Sequence, residues 1–354
     1  MNFVVRADAS VEIGTGHVMR CLSLADYLRE RGAQVTFITK RLPGHLADLV
    51  AANGFKVELL DAEGDGFSVE KDAFQTKKVI EKLGGCDWLI VDNYCLDASC
   101  EKVLRKVAKK IFVVDDLADR PHDCDALLDQ NLHKDMNMRY TGLVPSGCRL
   151  FLGPEYALLR REFVEEKRHL KPKNGQIRQV LVNFGGSDAY DMASLAIEVC
   201  REVWQGADVT VNVIAGASNP YKVKLKKLCS EYSLPAFVYH EQVSDMARLM
   251  ASSDLGLGAG GSSHWERCFM GLGSLVITTA SNQVEITEMV AEKGACVYVG
   301  DAEKEDRDQL KRKLALEMAG LVRSPQRLME MSQNAIGLMS QRDGFDAMIE
   351  WLSS

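Results

Sequence analysis

The chain has 354 residues, 46% hydrophobic and 26% charged, with only eight prolines, so neither disorder nor a low-complexity or collagen-like architecture fits. At roughly 150 residues per domain, that length points to about two domains with substantial cores. Forty-three basic against 50 acidic residues leave a net charge of −7, and no like-charge run resembles a nucleic-acid arm, so a nucleic-acid partner is excluded.

Short runs rich in Val, Ile and Phe alternate with longer amphipathic stretches, the rhythm of βαβ units and a parallel sheet. The first series predicts a strand over Phe3 to Arg6, a helix over His17 to Arg31 and a strand over Gln34 to Ile38. Further strands follow over Lys56 to Leu60, Trp88 to Asp92 and Ile111 to Asp115. The polar, basic stretch Lys167 to Arg178 contains Pro172 and Gly175 and reads as a linker. Beyond it, a second series predicts a strand over Gln179 to Phe184, a helix over Met192 to Trp204, a strand over Val209 to Ile214 and a helix over Tyr221 to Tyr232. Strands at Ala236 to Tyr239, Asp254 to Leu257, Ser274 to Thr278 and Cys296 to Val299 complete it. The expected fold is α/β: two Rossmann-like, doubly wound domains facing each other across a cleft. The expected boundaries are 1–167 and 178–338, with a helix at 339–354 packing back on the first domain. Ligands of such sheets bind at the carboxyl ends of the strands, so functional residues are expected in strand-to-helix loops.

The sharpest such loop is Ile13-Gly14-Thr15-Gly16-His17-Val18-Met19-Arg20-Cys21, between the first strand and the first helix. Its two glycines permit a tight turn, and His17 falls at the helix N-terminus, where the dipole disfavours the imidazolium. A neutral ring there is a candidate general base; the alternative, a histidine that merely caps the helix, fits the spacing equally well. Asp8, just past the strand, fits either orienting that ring or capping the turn, the second being the plainer choice.

In the second series Phe184-Gly185-Gly186-Ser187-Asp188 lets a phosphate approach backbone amides, with Ser187 adding a hydroxyl. The segment Gly258-Ala259-Gly260-Gly261-Ser262-Ser263-His264-Trp265-Glu266-Arg267-Cys268 offers a second anion-binding turn. Glu266, one helical turn in, suits a ribose diol or a capping box with Ser262 or Ser263. Gly256, Gly258 and Gly261 match G-x-G-x-x-G, but the first two fall within a strand, so a dinucleotide site is discounted. Neither a P-loop nor a G-x-S-x-G elbow is present.

Ten cysteines without a C-x-x-C pair read as reduced thiols. Asp123-Cys124-Asp125 has the D-x-D form that holds a divalent ion in some sugar-nucleotide enzymes, yet it precedes the apolar run Ala126-Leu127-Leu128 and reads as a turn. Neither a metal nor a cofactor is expected. The N-terminus lacks the pattern of a signal peptide, and no apolar run reaches the roughly 20 residues that span a bilayer. A cytoplasmic location without a membrane partner is expected. Oligomeric state is not legible.

Taken in order, Arg6-Ala7-Asp8, Ile13 to Cys21, Val91-Asp92-Asn93-Tyr94, Asp115 to Arg120, Leu128 to Asn131, Gly153 to Arg160, Phe184 to Asp188, Gly258 to Cys268 and Asn282-Gln283 resemble the PseG family. These are the UDP-2,4-diacetamido-2,4,6-trideoxy-β-L-altropyranose hydrolases of pseudaminic acid biosynthesis. The resemblance covers nearly the whole chain and implies a GT-B fold like that of the glycosyltransferase MurG. It implies that His17 activates water and that Tyr94 contacts the sugar or that water, or simply walls the cleft. UDP would be gripped by Gly185, Gly186 and Ser187, by Gly260, Gly261, Ser262 and Ser263, and by Glu266. Substrate contacts are expected from Asp8, Gly14, Thr15, Gly16 and Arg20, and from Asn282 and Gln283. Arg160 suits a phosphate contact or a salt bridge near the linker. A GT-B glycosyltransferase using a UDP-sugar donor and a non-catalytic sugar-nucleotide sensor are the rival readings. The first has no amphipathic acceptor patch near the N-terminus, and the second has no use for a base at position 17.

Overall fold

Strands that are apolar on both faces need cover on both sides, and this chain supplies it with helices between most successive strands. The structure is a computed structural model and describes residues 1–62, 67–216, 218–231, 233–241, 243, 245–340 and 342–354. Tyr232, the expected end of one helix, lies outside the described residues. The chain forms two compact units, Met1–Leu158 with Arg342–Ser354, and Leu159–Gln341.

In the first unit β1 (Asn2–Ala7), α1 (Gly16–Glu30), β2 (Gln34–Lys40), α2 (Ala47–Ala52), β3 (Lys56–Leu60), α3 (Val69–Lys82), β4 (Cys86–Asp92), α4 (Ala98–Leu104) and β5 (Ala108–Val114) follow in turn. Strands β6 (Ala126–Asp129) and β7 (Arg149–Leu152) complete a parallel sheet of order β3-β2-β1-β4-β5-β6-β7. The period of two divides β4 between two cores: Trp88 and Ile90 join the layer under α1, Leu89 and Val91 the layer under α4.

The second unit runs α5 (Arg161–Lys167), β8 (Gln179–Asn183), α6 (Met192–Val203), β9 (Thr210–Ala215), α7 (Lys222–Ser230), β10 (Ala236–Glu241), α8 (Met246–Ser252), β11 (Leu255–Gly258) and α9 (Ser263–Phe269). It continues with β12 (Ser274–Thr278), α10 (Val284–Glu292), β13 (Cys296–Asp301), α11 (Arg307–Arg323) and α12 (Pro325–Leu338). Its parallel sheet has the order β10-β9-β8-β11-β12-β13.

The last helix, α13 (Asp343–Leu352), belongs to the first unit. Trp351 meets Trp88 at 5.3 Å between ring centroids, and Phe345 meets Tyr27 at 4.8 Å. Gly344 permits this approach, since a Cβ there would lie 2.7 Å from the Glu155 carboxylate.

One boundary departs from expectation. The first unit ends at Leu158, ahead of the polar stretch that reads as a linker. The reason is α5: Phe163 is fully buried, and the Lys167 Nζ lies over the Phe269 ring at 5.0 Å, so this helix packs within the second unit. Among the described residues no helix is long and apolar enough to cross a membrane.

Candidate active site

Each sheet reverses its direction of strand addition once, between β1 and β4 in the first unit and between β8 and β11 in the second. Loops diverge on either side of such a point and leave a crevice beyond the strand ends. The two glycine turns and His17 all lie at these points.

In the first unit the chain leaves β1 through a closed turn, with Gly14 N donating to Ser10 O at 2.9 Å and Ile13 N to Ser10 Oγ at 2.9 Å. Gly14 takes φ 82°, open to glycine at little cost. Thr15 then precedes α1, Gly16 opens it, and His17 is its second residue. Parallel register sets Ala7 beside Asp92, so the carboxylate ending β4 reaches the helix that follows β1.

His17 Nδ1 and Asp92 Oδ1 are 2.5 Å apart. The carboxylate fixes Nδ1 as the protonated nitrogen and leaves the Nε2 lone pair free. The imidazole is buried, yet Nε2 has no hydrogen bond among the described residues and is not among the sealed polar atoms. Tyr94 packs edge-on against the ring at 4.4 Å.

Arg20, expected at the substrate, is engaged by two carboxylates of the protein. Its Nε and Nη2 hold the two Asp92 oxygens at 2.6 and 2.7 Å, and Nη1 holds Asp116 at 2.9 Å. Burial alone would raise the Asp92 carboxyl, but Arg20 and then His17 hold it well below the usual carboxylate range. Burial, and next the Asp116 charge, push the Tyr94 phenol upward, so it stays protonated and donates to Asp116.

Asp8 neither orients the ring nor caps the turn. It takes both ends of the buried Arg6 guanidinium at 2.6 and 2.7 Å, the Lys40 amide at 2.7 Å and Asn93 Nδ2 at 2.9 Å. It does line a cavity of about 430 Å³ with Ser10, Val11, Ile13, Lys40, Leu42, Pro43, Phe67 and Asn93. The expected D-x-D turn grips an arginine: Asp123 and Asp125 both pair with Arg105, at 3.0 and 2.9 Å. Among the described residues no group of three or more metal-ligating side chains is assembled.

Burial raises the nearby Asp129 carboxyl to about 7, against the hydrogen bond from Asn131 and the charge of Arg139. A carboxyl raised in the fold keeps a proton that the unfolded chain has already released, so its contribution is full below about pH 4 and lost as pH rises toward 7. The difference in thermal midpoint between Asp129→Asn and the unaltered protein is therefore expected to shift in the variant's favour across that window and to level off above it, as calorimetry would show.

In the second unit the Gly185-Gly186 turn leaves β8 with Gly185 at φ 86°. A Cβ at Gly216 would meet the Gly186 backbone at 2.5 Å, so the turns after β8 and β9 touch through bare backbone. Asp188 caps α6, accepting from Met192 N at 2.8 Å and Ala193 N at 3.0 Å. After β11, Gly260 is buried, Gly261 and Ser263 are half-buried, and Ser262 is exposed.

Gln283 Oε1 accepts from Gly260 N at 3.2 Å and Thr279 N at 3.0 Å, tying this turn to the one after β12. Its amide oxygen is thus occupied within the protein, while Asn282 beside it is exposed. Arg160, expected at a phosphate or in a salt bridge, forms the bridge: Nη2 is 3.0 Å from Glu266 Oε1, and Nη1 is 2.8 Å from Glu162. Asp92 and Arg267 are residues whose roles the sequence did not reveal.

No family model matches the chain. The UDP-2,4-diacetamido-2,4,6-trideoxy-β-L-altropyranose hydrolase of Campylobacter jejuni is 27% identical over 296 residues, covering 83% of this chain and 97% of that protein. The spore coat polysaccharide biosynthesis protein SpsG of Bacillus subtilis is 24% identical over 85% of this chain and 84% of its own. An uncharacterized protein of Methanocaldococcus jannaschii is 27% identical over 78% of this chain, which spans only 55% of that relative's length. Among solved structures, MurG of Acinetobacter baumannii superposes with a TM-score of 0.61 at 12% identity, covering 99% of this chain and 98% of that one. The Arabidopsis thaliana protein UGT89C1, complexed with UDP-L-rhamnose, gives 0.65 at 15% identity over the same shares, 99% and 98%. The chain is thus a homologue of the PseG hydrolases and of SpsG, and its fold is GT-B.

Proposed function

We propose that the protein hydrolyses UDP-2,4-diacetamido-2,4,6-trideoxy-β-L-altropyranose to UDP and the free sugar, with inversion, as a step of pseudaminic acid biosynthesis. The observation that carries this reading is the His17–Asp92 pair at the switch point of the first sheet, its Nε2 left open. His17 Nε2 takes a proton from water as the water oxygen attacks the anomeric carbon. The bond from that carbon to the phosphate oxygen breaks, and its electron pair leaves with UDP.

Asp92 stabilises the imidazolium that forms, and the Arg20 guanidinium already balances the Asp92 charge in the resting site. Tyr94 fixes the plane of the ring by its edge contact. The cavity beside the β1 turn suits the sugar: Val11, Ile13, Leu42, Pro43 and Phe67 offer apolar walls for acetamido methyls and the deoxy carbon. Asn93 and Lys40 provide polar contacts there.

The amides and hydroxyls of Gly185 to Ser187 and Gly260 to Ser263 share the charge of the departing diphosphate. Glu266 meets the ribose diol, and the bridge to Arg160 presets its carboxylate. Neither metal nor cofactor has a part in this scheme.

Incubation with a panel of UDP-sugars, following UDP release and the anomeric configuration of the freed sugar by NMR, tests the reading. Turnover that depends on an added alcohol indicates a glycosyltransferase, and binding without turnover indicates a sensor. Glu266→Ala is expected to weaken UDP binding by about tenfold or more, the worth of a charge-assisted hydrogen bond, as calorimetric titration would show. An unaltered Kd removes Glu266 from the ribose site.

A further inference from the structure

Gly256 and Gly258 lie two residues apart on β11 and so present to the same face of the sheet. A Cβ at Gly256 would lie 3.2 Å from Arg267 Cδ, and one at Gly258 would lie 3.0 Å from Arg267 Nη1. On the opposite face Leu255 and Leu257 enter the hydrophobic core. The nearer neighbours of a Cβ at the two glycines are Ser274 Oγ at 2.9 Å and Asn183 O at 2.4 Å, so bare backbone at both lets the strand pack closely there with the Arg267 side chain against it, a residue only 3% exposed.

From there Nη2 donates to Ala259 O at 2.6 Å and Nη1 to Ser263 Oγ at 3.1 Å, so Arg267 braces both ends of the second glycine turn. Nη2 also lies 3.0 Å from His264 Nδ1. Burial, and then Arg267 itself, push the His264 imidazolium far down, so this ring is neutral and accepts at Nδ1. The buried Arg267 Nε has no hydrogen bond among the described residues.

Among the described residues no carboxylate lies within ion-pair distance of this cation; the adjacent Glu266 acts on it only at a distance and is itself held by Arg160. The other deeply buried arginines differ. Arg6 has Asp8 and Asp72, and Arg20 has Asp92 and Asp116. A buried charge without a counter-charge is costly, and its field is felt strongly in the low-dielectric surroundings that make it so.

We propose that Arg267 is a built-in counter-ion for a diphosphate bound at the turn Ala259 to Ser263: the unpaired cation raises the potential at the turn and is balanced only when the anion arrives. This inference deepens the nucleotide-sugar reading and rests on UDP being bound by the second unit. Arg267 acts through the turn it braces, as a positioning residue. Its cost is carried by the empty protein and offset in the complex, a trade of stability for affinity.

The test is calorimetric titration of UDP, UMP and uridine into the full chain, unaltered and as Arg267→Met and Arg267→Lys, with the thermal midpoint of each ligand-free protein. Arg267→Met is expected to bind UDP about tenfold or more weakly, UMP less weakly than that, and uridine with an unchanged Kd. Its ligand-free midpoint is expected to equal or exceed that of the unaltered protein. Arg267→Lys, which keeps the charge, is expected to retain most of the UDP affinity.

Equal weakening toward UDP and uridine, a folded Arg267→Met with unchanged UDP affinity, or a Met variant that does not fold while the Lys variant loses UDP and uridine alike would each overturn the proposal. An unaltered protein that binds no UDP overturns the nucleotide reading, and this inference with it.

Discussion

His17→Asn is expected to lower kcat for UDP-sugar hydrolysis by about a thousandfold, the usual worth of a positioned general base, and to leave the Kd for UDP unchanged. Asparagine places an amide N–H close to where Nδ1 stands, so Asp92 keeps a donor in place of the 2.5 Å contact. What it lacks is a basic atom at the position of Nε2. Water then attacks without proton removal, while the glycine turns of the second unit, the proposed UDP site, are untouched. The split between kcat and binding is the informative part. Unchanged turnover removes His17 from the chemistry, and a parallel loss of UDP affinity shows that the substitution disturbed more than the base.

His17 was legible because its cue is local: a glycine turn directly after an apolar strand, opening a helix. The two Rossmann-like sheets were legible for the same reason, since each strand is a short run of Val, Ile, Leu or Phe. The partner of His17 was not. Asp92 lies 75 residues away and arrives only through the register of β1 on β4, which no spacing within either segment encodes. An acidic residue ending a strand beside the switch point is the signal that could have pointed to it.

The segment Val91 to Tyr94 did draw notice, but through Tyr94 rather than the aspartate before it. Asp8 drew notice by standing near His17 in sequence, yet the buried Arg6 claims it, the guanidinium being held between Asp8 and Asp72. Arg267 was hidden by its neighbours' apparent meaning. The glycines at 256 and 258 read as a discounted dinucleotide fingerprint, when their missing Cβ atoms let the strand pack closely with the Arg267 side chain against it. Helices α3, α11 and α12 escaped notice too, although α3 starts at a Ser68 cap and buries Asp72, Ala73, Thr76 and Ile80 along one face.

Asp92→Asn is expected to cost kcat about a hundredfold to a thousandfold, through the state of the His17 ring rather than through the nucleotide. The carboxylate accepts the proton on Nδ1 and thereby keeps Nε2 bare; an amide can offer either its oxygen or its NH2, and the second choice turns the ring to the tautomer that protonates Nε2. The imidazolium formed as water attacks also loses its counter-charge, while Arg20, no longer balanced at Nε and Nη2, repels it. Both effects oppose the transition state. The Asp92 carboxyl lies below its ordinary range in the fold, so the stability it contributes is present above about pH 4 and is lost as pH falls below that. The variant's thermal midpoint is accordingly expected to fall most at neutral pH and least in acid. A variant with a depressed midpoint but unaltered kcat would make Asp92 a structural ion-pair partner of Arg20 and no part of the base.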